Sequence, residues 1–354
     1  MARGRTAETP AGIPARGWRD ILWRMWHGFD NEHVRLVAAG IAFYGLLALV
    51  PALAALVAIY GLAFDPAQVV TQVRTVAHVL PSEVSNLVQD QLVRLTTAPQ
   101  EKLGVAAAIA LAIALFSASS ATKGLIEGLN IVYAEREKRS WFRLTAAAIA
   151  LTAAGLVSVT IFLASTLLLP KLLAYIGVSQ TILLSVISYV AFALFLWLEL
   201  SAIYRWAPNR SEAKFAWIAP GSLLAVVLIV LFSLAFSWFV RTFATYSAYG
   251  SLGVVIAFMT WFWISMVIVL VGAQLNAEAE HQTIRDSTTG LPMPMGLRGA
   301  VMADTVGKSE GAYFPAASAM ASRVSSITAG QAAALAVSVG ALFLVWSRLS
   351  RERW

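Results

Sequence analysis

The chain has 354 residues, of which 59% are hydrophobic and only 13% charged, with net charge +7 and no cysteine. Soluble domains average about 25% charged residues, so this composition excludes an ordinary soluble fold and points to an all-α polytopic membrane protein. The missing cysteine excludes disulfides, thiolate metal sites and thiol nucleophiles.

Residues 1–16 are small, basic and Pro/Gly-bearing, and are expected to be disordered. In "GWRDILWRMWHGF", Trp18, Ile21, Leu22, Met25, Trp26 and Phe29 recur at helical spacing, with Arg19, Asp20 and Arg24 opposite. That pattern predicts an amphipathic interfacial helix over 17–35, on the membrane surface or docked on a bundle. Six spans follow at roughly 36–63, 103–122, 144–169, 182–204, 215–240 and 252–275, all within a core of 36–281. Each covers the ~30 Å hydrocarbon layer, which about 20 helical residues span. Pro51 and Pro220 lie inside spans and predict kinks or helix starts. The gap 64–102 is long. Its stretch "PSEVSNLVQDQLVRL" puts Val84, Leu87, Val88, Leu92 and Leu95 on one face, predicting an external helical cap with Ser82 as N-cap. Tyr249, Gly250 and Ser251 suggest a tight outer connection before the sixth span. Residues 282–326 are rich in Gly, Pro, Ser and Ala and read as flexible linker. A seventh apolar run at 327–346 is long enough to span, followed by the basic tail 347–354.

Lys and Arg set the orientation. Eighteen fall in the N-terminal segment, the second and fourth gaps and the tail to residue 326, against five in the other gaps. Both the N-terminus and the end of the sixth span are therefore expected in the cytoplasm. Trp141, Trp206 and Trp217 then mark the inner interface and Trp238 the outer. The basic balance serves topology and anionic lipid; no nucleic-acid partner is expected.

Polar residues gather where the second, fourth and sixth spans end. Lys123, Glu127 and Asn130 share one helical face, Glu199, Tyr204 and Arg205 close the fourth span, and Gln274, Asn276 and Glu278 close the sixth. These nine are the candidates for a polar vestibule opening to the cytoplasm. Glu199 stands out, because a membrane carboxylate costs about 2.5–3.5 kcal/mol at mid-bilayer on insertion scales. Lys123 or Arg205 is its expected partner. Gly124-x-x-x-Gly128 is a small-residue pair that permits close helix approach.

The ordered set "GIAFYGLLALVPALAALVAIYG", "GLNIVY", "YRWAPN", "APGSLLA", "YGSLG" and "WFWISMVIVLVGAQLNAE" resembles the YihY/virulence-factor-BrkB family of bacterial inner-membrane proteins, over about residues 20–282. The resemblance implies a six-helix membrane core with recurrent positions that include Asn130, Tyr133, Tyr204, Gly221, Gly272 and Asn276. It also brings an inherited ribonuclease label (ribonuclease BN). The residues do not carry that label. His27, His33, His78 and His281 lack ligand spacing, and no paired acid and base, P-loop or Ser-His-Asp context occurs. Neither a cofactor nor a metal site is expected. Three readings remain open: transport of a lipid or other amphiphilic envelope compound, a membrane scaffold that binds an envelope protein, and a membrane-bound enzyme. Membrane lipids are the expected partners in each.

Overall fold

The computed structural model describes residues 3–31, 33–60, 70–71, 82–97, 105–175, 181–243 and 251–309. The expected outer connection at 244–250, most of the cap outside 82–97, and the seventh run lie outside these residues. Everything below belongs to the unit Met1–Gly307.

Six long helices form the bundle. They are α2 (Val34–Tyr60), α4 (Val105–Val132), α5 (Trp141–Tyr175), α6 (Thr181–Trp206), α7 (Phe215–Phe243) and α8 (Ser251–Glu280). Shorter helices are α1 (Ala15–Asn31), α3 (Ser82–Thr97) and α9 (Val301–Asp304). Within the described residues, Val34–Ile59, Trp141–Ser165, Phe215–Val240 and Gly253–Glu280 are long and apolar enough to cross a membrane. Helices α4 and α6, at 28 and 26 residues, match them in length and coincide with the second and fourth spans of the sequence pattern. The fold is thus an all-helical polytopic membrane protein.

Close packing explains the glycines. A Cβ on Gly128 would lie 3.1 Å from both Ile41 and Val37 and 3.2 Å from Leu270, so the Gly124/Gly128 pair seats α4 against α2 and α8. Gly272 and Gly221 bring α7 and α8 together; a Cβ on Gly272 would lie 2.6 Å from the Gly221 carbonyl. Pro220 has no N–H to give its helix. Beside it the Gly221 N–H donates to Asn276 Oδ1 at 2.8 Å, and Trp197 Nε1 donates to the Ala219 carbonyl at 3.4 Å. Helix α3 packs the buried Leu92 and half-buried Val88 on Leu53, Leu56 and Val57 of α2 and Leu163 of α5.

Helix α1 docks on the bundle, but not by the face its apolar pattern suggests. Asp20, Ile21, Arg24 and Met25 are buried, whereas Leu22 and Trp26 are exposed, Trp26 at 81%. Arg3 pairs with Asp20 at 2.7 Å and Arg24 with Glu278, so charge compensation rotates two polar residues inward. Trp217 corrects a second expectation. It is 1% exposed and packs with Ile21, Met25 and Leu275, while Trp141, Trp206 and Trp238 are exposed as an interfacial belt requires.

The expected linker is also corrected over its first part. Residues 281–307 form an ordered coil. Arg298 donates to the carbonyls of Ile284 (2.7 Å) and Ala303 (2.6 Å). Asp304 accepts from the N–H groups of Gly296, Arg298 and Gly299. Thr283 and Gln282 donate to the backbone of residues 7 and 3. The Gly/Pro-rich composition supplies turns rather than freedom, because Arg298 and Asp304 satisfy backbone groups that the turns leave unpaired, and Gln282 and Thr283 tie the coil to the N-terminal segment.

Candidate functional site

The ends of α4, α6 and α8 and the loops that follow them form a packed polar network. Asn130, near the end of α4, donates from Nδ2 to Glu137 at 3.0 Å and accepts the Asn209 N–H at 2.7 Å. Glu137 is further bound by Arg139, which holds its carboxyl below the ordinary glutamate value. Arg139 also donates to the Ala207 carbonyl at 3.1 Å, tying the α4–α5 loop to the end of α6. Arg210 and Glu280 pair at 2.7 Å with side chains 2% and 0% exposed, and the guanidinium lies 4.7 Å over the Tyr133 ring. Burial pushes the Tyr133 phenol up. Glu280 takes a second hydrogen bond from Ser287 at 2.7 Å. Sequence reasoning did not single out Tyr133, Arg210 or Glu280 as partners, since they meet across 77 and 70 residues of chain.

The expected vestibule residues divide into three groups. Asn130, Tyr204, Gln274, Asn276 and Glu278 are buried. Within that group Tyr204 donates to the Val269 carbonyl at 2.6 Å, Asn276 accepts from Gly221, and Glu278 binds Arg24 and His281. These contacts fasten the helix ends to one another. Lys123, Glu127 and Arg205 lie elsewhere. Lys123 sits 5.3 Å from the Phe116 ring centroid and 5.5 Å from that of Trp141, Glu127 is exposed, and Arg205 pairs with Glu212 at 3.0 Å.

Glu199 lies on the wall of a cavity. This partly open cavity of about 480 Å³ is lined by α2, α4, α5, α6 and α8, with Val88 of α3. Its walls are apolar: Leu49, Leu125, Leu151, Leu156, Ile203 and the rings of Phe258, Trp261 and Phe262. Against these stand the Glu199 carboxylate and the Thr122 and Thr152 hydroxyls, 2.7 Å apart, with Thr152 also donating to the Ala148 carbonyl. Helices α5 and α6 meet where Phe162 stacks on Phe195 with centroids 4.5 Å apart. Between that stack and the Trp141 and Trp206 ends, both helices line the cavity. Neither Lys123 nor Arg205 partners Glu199; among the described residues no basic group forms an ion pair with it. Among the same residues no three His, Asp or Glu side chains are grouped to hold a metal ion.

Comparison with known proteins agrees with the architecture. The ribonuclease-like protein YfkH of Bacillus subtilis (strain 168) is 33% identical over 46% of this chain and 62% of its own length. UPF0761 membrane protein MS0032 of Mannheimia succiniciproducens is 36% identical over 27% of this chain and 32% of its own. The chain thus spans less than two thirds of both. UPF0761 membrane protein NTHI0384 of Haemophilus influenzae is 26% identical over 72% of this chain and 93% of its own. No solved structure matches. The family model described as Virulence factor BrkB matches residues 25–294, from α1 through the bundle into the ordered coil, and the chain belongs to that family.

Proposed function

We propose that the protein is an inner-membrane transporter or translocase of a lipid or other amphiphilic envelope compound, with its N-terminus in the cytoplasm and the Glu199 cavity as its binding chamber. The observation that carries this reading is the cavity itself: about 480 Å³ of largely apolar space inside the bundle, with one carboxylate on its wall. Small-molecule sites are typically about 300–1,000 Å³, apolar, with a few placed polar groups. A carboxylate inside a membrane bundle is costly and faces a protein interior or a cavity, where it marks a substrate path by default. The packed inner network supplies the rigid base against which such a chamber is held. The same network favours a second reading, a scaffold whose inner face binds a partner protein. In that case the cavity has no passenger.

Liposomes carrying a fluorescent phospholipid in both leaflets, bleached from outside, separate the two. The protein should accelerate loss of the inner-leaflet signal over empty liposomes. A Cβ on Gly155 meets no atom within 4 Å, although the residue lies on the cavity wall. Gly155→Trp therefore has open space at its Cβ to place an indole at the cavity wall, and should abolish the acceleration. An unaccelerated wild type, or a Gly155→Trp protein as fast as wild type, refutes transport through this cavity.

A further inference from the structure

We infer that the Glu199 cavity binds amphiphiles through a single ammonium group. The inference rests on the chamber being a binding site, and names the chemistry of what enters it.

The argument is one of charge complementarity. Among the described residues, Glu199 is the only ionisable one on the cavity wall. The two cations nearest in sequence logic are committed elsewhere, Lys123 to the Phe116 and Trp141 rings and Arg205 to Glu212 and the Trp206 ring. The Thr122 and Thr152 hydroxyls are turned to each other and to the Ala148 carbonyl. The described residues therefore offer an incoming molecule one carboxylate acceptor and no cation in an ion pair with it. Glu199 is half-buried in an apolar wall, where a carboxylate is stabilised by a paired, hydrogen-bonding cation, so the ligand that completes this site brings one positive donor. An anionic headgroup would meet repulsion from Glu199. A neutral one would leave the carboxylate unpaired.

The rest of the wall suits the rest of such a molecule. Phe258, Trp261 and Phe262 line the wall beside aliphatic side chains, and aromatic rings attract alkylammonium groups as well as apolar chains. A primary long-chain amine and the headgroup of an ethanolamine lipid share the required ammonium.

Purified protein in uncharged maltoside micelles, titrated with dansyl-labelled dodecylamine against empty micelles, tests the inference. Dodecylamine should displace the probe at least tenfold more tightly than dodecanol, and dodecyl sulfate more weakly still. Glu199→Gln should bring the amine to the dodecanol level while leaving the unfolding temperature within a few degrees of wild type. If that variant does not fold, Gly155→Trp serves: it should release the amine probe. Equal affinity for amine and alcohol, or amine binding indifferent to the folded variant, overturns the inference. Displacement by an ethanolamine phospholipid assigns a lipid source and displacement by dodecylamine alone a free amine. Displacement by neither overturns it. Amine binding without lipid flipping would refute the transport reading and leave this inference standing. Flipping that ignores Glu199→Gln, with no amine preference, would do the reverse.

Discussion

Replacing Arg210 by Met should be among the most damaging single changes in the polar network at the helix ends. Its guanidinium is 2% exposed and Glu280 is fully buried. Burial opposes the charge on Arg210, yet Glu280 and its hydrogen bond hold the guanidinium protonated above its ordinary value. Without Arg210, Glu280 Oε2 keeps only the Ser287 hydroxyl, while Oε1 already lacks a hydrogen-bond donor among the described groups. Breaking a buried pair in this way costs about 3–5 kcal/mol, because a charge stays buried without compensation. Loss of the contact over Tyr133 adds about 0.5–2 kcal/mol. Arg210→Lys keeps the charge and should lose less. Removing both partners, as Arg210→Met with Glu280→Met, should recover most of the loss, since a buried pair replaced by apolar side chains is often neutral. Equilibrium unfolding in mixed micelles of rising dodecyl sulfate fraction measures all three. A single variant within about 0.5 kcal/mol of wild type, or a double variant worse than the single, would refute the account of this pair.

Four further outcomes are expected. Gly272→Ala places a methyl group 2.6 Å from the Gly221 carbonyl and 2.7 Å from Tyr204 Oη, so the α7–α8 contact must open, at a cost of about 1–3 kcal/mol read in the same unfolding assay. Asn276→Leu removes the acceptor for the Gly221 N–H and should cost about 1–3 kcal/mol. Ala134 ends α4 at φ 54°, a left-handed conformation that favours glycine, so Ala134→Gly should raise stability by about 1 kcal/mol. The Arg139 hydrogen bonds lower the Glu137 pKa, so their stabilisation is complete above the ordinary glutamate value and is lost as pH falls through the folded one. Unfolding temperatures of wild type and Glu137→Gln should therefore converge as pH falls from about 5 to 3, with wild type higher above that window.

The bundle was legible because spans of the required length are written as continuous apolar runs, and the long helices follow them. Helix α1 was legible as a helix, but its buried edge was not. Spacing can show that Asp20 and Arg24 oppose the apolar stripe; it cannot show that Arg3 and Glu278, the latter 254 residues away, wait to neutralise them. The coil at 281–307 misleads for a related reason. Its composition measures turn content, whereas its order depends on where Arg298 and Asp304 send their hydrogen bonds. Glu199 was found by a rule about cost, that a carboxylate in an apolar run needs a reason. Its expected partners failed because Arg205 has a nearer acid across the α6–α7 loop and Lys123 lies against two rings. The gathering of polar residues at the helix ends was visible, but whether they border water or one another is decided by packing that pattern does not encode.

The central claim is that an amphiphile enters the Glu199 cavity in the membrane, and photo-crosslinking from within it is the most direct test. A diazirine side chain at Leu156 or Ile203, both on the cavity wall, is activated in intact membranes and the adducts identified by mass. The account predicts adducts with an ammonium-bearing amphiphile at both positions, suppressed by added dodecylamine and by Gly155→Trp. No such adduct, or adducts unchanged when the cavity is filled, would contradict it.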